Sequence, residues 1–175
     1  MEGMCPDSNI DDIKLTWEDL IVDRVTEAEA AAWLADWQWL GLGRIAPVFL
    51  SRFGNWFFLR PDGAVHMLHV CEAVVELVAP DFDKFQALVN TQEGQEKCLY
   101  SALVLQFRRQ GIVARGRDAI GFAPHPAFVS SLDACKVMVL TMNVWQAICG
   151  QAMRQIRGAA QSAASAGNSG DTSPR

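Results

Sequence analysis

The chain has 175 residues, enough for one well-buried domain and short for two. Half of it is hydrophobic and a fifth charged, which is globular rather than disordered composition, and no run of about eighteen uncharged apolar residues offers a membrane span. The net charge of −5 is uneven: residues 1–40 hold ten acids against Lys14 and Arg24, a net of −8, while the rest sums to +3, so this acidic lobe repels phosphate backbones and attracts basic surfaces.

Residues 1–10 read as a flexible leader without the basic opening and apolar segment of a secretory signal, which points to the cytoplasm. A single domain is expected over 11–157. Ile13 to Val22 has helical spacing through Leu15, Leu20 and Ile21, with Trp17 as an early anchor. Thr26 and Glu29 form a T-x-x-E capping box, and Ala30, Trp33, Leu34, Trp37 and Leu40 continue from it as one apolar stripe. Trp39 falls opposite that stripe, so either the helix ends by Trp37, as Gly41 and Gly43 favour, or Trp39 is exposed.

Ile45 to Ser51 reads as a strand, at an edge or starting at Pro47. Asn55 to Leu59, Val65 to Val70 and Ala73 to Val78 then form an antiparallel meander, its first reversal made by Pro61-Asp62-Gly63. Asp81 caps a helix carrying Phe82, Phe85, Leu88 and Val89, and Glu93 to Gln110 reads as one long buried helix stopped by Gly111. Ala119 to Phe122 is a strand broken by Pro124-His125-Pro126, and Leu132 to Lys136 makes a helical turn at most. Val137 to Thr141 reads as a buried strand, and Asn143 caps a last helix with Val144, Trp145, Ile148, Cys149, Ala152 and Ile156 on one side. From Gly158 the small polar residues predict a disordered tail, 158–175. The order of elements predicts an α+β fold, a mostly antiparallel mixed sheet with helices on one face.

Chemistry has no clear address in this pattern. Five widely separated cysteines (Cys5, Cys71, Cys98, Cys135, Cys149) without a C-x-x-C pair read as free thiols packed as small hydrophobes. His66, His69 and Cys71 are close in sequence, but His66 falls on the other face of the strand, so no three-ligand metal site is expected. A nucleophilic Cys–His pair would need one of the cysteines beside one of three histidines, with a third group orienting the ring, and no flanking motif marks one. Phosphate-loop, dinucleotide and serine-elbow motifs are absent from the sequence. No catalytic residue, metal or cofactor is therefore expected. Of the six tryptophans, Trp33, Trp37 and Trp145 read as core, while Trp39 and Trp56 remain as either core or partner anchors.

Three segments carry a resemblance: Trp37-Gln38-Trp39-Leu40 leading into Arg52-Phe53-Gly54-Asn55-Trp56-Phe57-Phe58-Leu59, then Asp62-Gly63-Ala64-Val65-His66, then Ile120-Gly121-Phe122-Ala123-Pro124 with the strand and helix from Val137 to Ile156. Over roughly residues 30–157 the chain resembles a family of bacterial type VI secretion immunity proteins whose founding member protects against a DNase toxin, similar in fold to the SUKH superfamily. After the Gly-Phe-x-Pro segment it departs from the family's Leu-Gly-Gly run, having Phe128-Val129-Ser130 instead. The resemblance implies a non-enzymatic protein that binds and neutralises a co-encoded nuclease toxin by occlusion. Charge complementarity assigns the contact to Asp19, Asp23, Glu27, Glu29 and Asp36, supported by Trp39 or Trp56. A regulatory interaction module of the same fold, or a small enzyme using His66, His69 or His125, are the rival readings. An apolar edge such as Ile45 to Ser51 allows a monomer or a weak dimer.

Overall fold

A computed structural model describes residues 13–167. The expected leader 1–10, with Glu2, Cys5 and Asp7, lies outside the described residues, as do Asp11, Asp12 and the chain beyond 167. Strands β1 (Ile21–Val22), β2 (Ala46–Ser51), β3 (Trp56–Leu59), β4 (Val65–His69) and β5 (Val74–Ala79) pair in that order, each pair antiparallel. The reversal after β3 is made as its residues suggest, Asp62 accepting the Ala64 N–H at 3.1 Å and Gly63 taking φ +85°. Pro47 sits where β1 no longer pairs with β2, so its missing N–H is harmless.

Trp56, Phe57 and Phe58 in the central strand are all buried. Neighbouring side chains on a strand point to opposite faces, so both faces must be covered. Phe57 packs on Phe49 and on Phe85 of α3 (Phe82–Val89), at 4.8 and 5.5 Å between ring centroids. Trp56, on the other face, packs at 6.3 Å on Trp33 of α2 (Glu27–Leu34). Helices therefore lie on both faces rather than on one.

A second, two-stranded ladder pairs β6 (Asp118–Ala123) with β7 (Lys136–Thr141). It joins the large sheet where Ile120 N–H donates to Arg52 carbonyl at 2.7 Å. Arg52 is 1 % exposed, and its guanidinium donates to the carbonyls of Glu18, Gly116 and Asp118. One side chain thus ties α1 (Trp17–Leu20), β2 and the entry to β6.

Several expectations give way to tertiary contacts. Trp17 is exposed rather than an anchor. The α-helix begun at the Thr26 box ends at Leu34 and tightens to 3-10 over Ala35–Leu40, which buries Trp37 and half-buries Trp39. The long helix over 93–110 is two helices, α4 (Gln92–Leu99) and α5 (Ser101–Arg109), because Tyr100 adopts φ 54° and sets its ring edge-on to Phe53. The Glu96 carboxylate then accepts the Ala102 N–H, satisfying an α5 donor that a continuous helix would have bonded internally. Strand β7 is not buried: with β6 as its one partner among the described residues, Met138 and Val139 stay about two-fifths exposed. Helix α6 runs from Met142, one residue ahead of the expected Asn143 cap, to Gly167, so the expected tail is helical over 158–167. Its buried side is Trp145, Gln146, Cys149, Ala152 and Met153, leaving Val144 and Ile148 outward.

Gln146 is fully buried, and its side chain closes the structure. Its Oε1 accepts the indole N–H groups of Trp37 (2.8 Å) and Trp56 (3.0 Å), and its Nε2 donates to the Gly54 carbonyl at 2.7 Å. Next to it, the Trp145 N–H donates to the Phe53 carbonyl at 2.8 Å. Gly54 has φ +86°, and a Cβ there would stand 2.8 Å from Gln146 Nε2, so only glycine lets the amide reach the backbone. Each buried donor left without a partner costs about 1–3 kcal/mol. Gln146→Leu orphans two indoles at once, so it should lower unfolding stability by about 3 kcal/mol in urea titrations. A loss below about 1 kcal/mol would mean that the indoles find other acceptors.

Candidate functional site

The expected partner residues divide by burial. Trp56 is wholly interior, its N–H spent on Gln146, and cannot anchor a partner. Asp19 is also buried: its carboxylate takes the Thr16 N–H and hydroxyl at 2.7 and 2.9 Å and pairs with Arg108 of α5. Burial pushes its pKa up, but the Thr16 hydrogen bonds and Arg108 outweigh that and hold it below the usual value. Glu29 accepts the Thr26 N–H at 2.9 Å and the Arg117 guanidinium at 2.8 Å, contacts that lower its pKa, the Thr26 backbone bond foremost. Glu27 and Asp23 are exposed, and Asp23 has Arg24 at 3.6 Å. Asp36 is half-buried beside Gln151, and Trp39 is half-buried beneath the Arg157 guanidinium, 5.3 Å from its ring. The acids of residues 13–40 carry a net −4 with Lys14 and Arg24, and the fold brings Arg108 and Arg117 against them, leaving −2.

The structure also assembles a group of side chains that sequence reasoning left apart. Cys71, His125 and Cys149 place their two sulfurs and a ring nitrogen all within 4.8 Å of one another. Cys71 sits in the tight turn from β4 to β5, where Asn55 accepts the Val70 N–H and Arg157 donates to the Ala73 carbonyl. Ala73 takes φ 54°, a left-handed conformation that costs an alanine about 1–2 kcal/mol and is held by those contacts. Cys149 lies one helical turn beyond Trp145 on the buried face of α6. His125 is set between Pro124 and Pro126, and its ring packs on Trp145 at 5.7 Å.

The hydrogen bonding of His125 limits what this group can do. Its Nδ1 accepts the Ala127 N–H at 3.2 Å, so in the neutral ring the proton is on Nε2. Nε2 is buried and has no hydrogen-bond partner, which leaves an N–H available to a nearby thiolate. Two cysteines and a histidine have the donor types of a soft metal site. A metal taking Nδ1 would displace the Ala127 N–H, and one taking Nε2 would move the ring proton to face that same N–H. A general base would meet the same obstacle. The bond that orients the ring therefore disfavours both metal ligation and base catalysis.

The two thiols are driven apart in acidity. Cys71 is lowered to about 6, chiefly because the Cys149 thiol donates to it; burial opposes this, the nearby His125 ring adds to it, and the Glu72 carboxylate works against it. Cys149 is pushed up by burial and by the neighbouring Cys71. The pair thus gives up its first proton more readily than an ordinary thiol and holds its second more firmly. Cys71 also lines a cavity of about 370 Å³ walled by Phe53, Tyr100, Leu103, Phe122 and Leu132, with His69 and Glu72 at its edge. His69 pairs there with Glu76 at 3.1 Å, while His66 stacks on Phe58, so the histidines adjacent in sequence to Cys71 serve other contacts. The partners of Cys71 lie 54 and 78 residues away, with no local motif to reveal them.

Among the described residues no helix is long and apolar enough to cross a membrane. No family model, curated protein or solved structure matches this chain.

Because a thiol alkylates as its thiolate, Cys71 should react with iodoacetamide half-maximally at about pH 6, gaining reactivity as pH rises and losing it below. Cys149→Ala should move that midpoint upward, toward the ordinary thiol range, when adduct formation is followed by peptide mass spectrometry. An unchanged midpoint would show that Cys149 does not stabilise the thiolate.

Proposed function

We propose that this chain is an immunity protein of the type VI secretion kind, which binds a co-encoded nuclease toxin and blocks it by occupying its surface. What carries the reading is where the segments of the resemblance meet. Trp37 from the first, Gly54 and Trp56 from its continuation, and Trp145 and Gln146 from the third interlock around one buried amide. Gly121 of the third segment lies under Trp145, whose ring a Cβ would meet at 2.9 Å. The segments that carry the resemblance thus supply residues on which this fold depends, and that is the support for the reading. A fold alone does not give a function, so the partner must be argued from the surface.

Asp23 and Glu27 are the acids best placed to meet a basic nuclease, with Asp36 and Trp39 beside them in the chain and part-exposed. A nuclease surface carries positive charge for the phosphate backbone, and acids opposite it speed association and fix register. The segment that departs from the family, Phe128-Val129-Ser130, presents Phe128 at 59 % exposure, and Leu132 follows at 49 %. Large apolar side chains on an exposed loop suit a partner-specific contact. The protein acts in the cytoplasm, as a monomer or weak dimer, without its own catalysis, metal or cofactor and without direct nucleic-acid contact.

Co-expression with the adjacent open reading frame tests this: growth rescue together with a co-purifying complex is expected. A neighbour that is harmless alone, or toxic and never bound, would instead favour a regulatory interaction module. Given a complex, Asp23→Lys with Glu27→Lys and Asp36→Lys should slow association about tenfold or more at low salt and flatten its salt dependence, read by stopped-flow or surface binding. An unchanged association rate would remove these acids from the interface.

A further inference from the structure

We propose that Cys71 is a peroxide-modified thiol, oxidised by hydroperoxides that enter the apolar cavity, with Cys149 as the thiol that resolves the product into a Cys71–Cys149 disulfide. This does not depend on the toxin-binding reading, although Leu132 of the cavity wall also borders the Phe128 loop.

Access sets the order of events. Cys71 lines the cavity, whereas Cys149 is fully buried behind it and cannot meet an oxidant first. The walls are aromatic and aliphatic, Phe53, Leu103, Phe122 and Leu132 among them, and favour a hydroperoxide with an apolar body. A thiolate is the reacting form, and the group around Cys71 is built to keep one: a thiol donor from Cys149 and an N–H from a ring that Ala127 holds in one tautomer. Cys98, by contrast, is buried and its thiol is pushed up by that burial.

The chemistry balances without a base. The Cys71 thiolate attacks the outer peroxide oxygen; an S–O bond forms, the O–O bond breaks, and the alkoxide leaves and takes a proton from water, giving a sulfenic acid and an alcohol. The Cys149 sulfur then attacks the Cys71 sulfur. An S–S bond forms, the S–O bond breaks, and the hydroxide departs with the Cys149 proton as water. Two thiols lose two electrons in total, and the peroxide gains them. A disulfide needs its sulfurs about 2.05 Å apart, so the pair must close by at most about 2.8 Å from its present separation of within 4.8 Å. The turn that carries Cys71 is docked on the same helix as Cys149, through Arg157, so this closure brings together two groups already seated on one element.

The test treats the purified full chain with cumene hydroperoxide and, separately, with hydrogen peroxide, then maps unreduced peptides by mass spectrometry. The expected product is one crosslink, Cys71 to Cys149, lighter by two hydrogen atoms, formed at least as fast with cumene hydroperoxide. In Cys149→Ser, dimedone should label Cys71 as the trapped sulfenic acid; in Cys71→Ser, Cys149 should stay reduced. Oxidation of Cys98 or Cys135 as fast as Cys71, a crosslink to any other cysteine, or a slower reaction with the apolar peroxide would overturn the assignment. The wild-type map decides it even if a variant fails to fold.

Discussion

Inside this protein a single amide oxygen accepts two indole N–H groups, and most of the architecture follows from having to place it there. Tryptophan gives a large apolar area to the core but brings a donor that must be satisfied. By sharing Gln146 Oε1, Trp37 and Trp56 become wholly buried, and the 3-10 segment, the central strand and α6 are held in one relative position. The other end of the amide reaches the Gly54 carbonyl, so a backbone position without a side chain is part of the same unit. Partial networks of this kind are costly and complete ones are specific, which is why the residues act together.

The thiol group is an extension of that arrangement. Trp145, adjacent to Gln146, is fixed by the Phe53 carbonyl and in turn supports the His125 ring. One turn further along α6 is Cys149, and two turns beyond that Arg157 docks the turn bearing Cys71. A helix chosen for core packing thereby also determines how close two sulfurs and an imidazole come. Burial then separates the thiols, since the interior admits one negative charge with donors around it and not two.

Arg52 shows a second use of buried polarity. Its charge is removed from water, which pulls its pKa down, while Glu18, Asp118, Asp19 and Asp23 counter that from nearby. Part of the acidity in the first forty residues is therefore internal counter-charge: Asp19 answers Arg108, Glu29 answers Arg117, and the field at Arg52 draws on Glu18, Asp19 and Asp23. Only the remainder is available to a partner. Surface charge read from a sequence overstates the field whenever distant arginines fold back onto it.

Local patterns were sufficient for much of this structure. The Thr26 capping box, the Asp81 cap, the Pro61-Asp62-Gly63 reversal, the three-strand meander and the α+β class were all legible, because each depends on residues a few positions apart and on the periods of strand and helix. What tertiary structure decided was everything that joined distant positions. Tyr100 breaks a helix to reach Phe53, α6 outlasts its apolar stripe, β7 keeps one partner and an open side, and Trp56 turns inward to an amide 90 residues away. Cys71 and its partners belong to the same class. Their types were visible and their meeting was not, since a thiol's acidity depends on which donors and how much apolar volume surround it, and neither is written in its sequence neighbours.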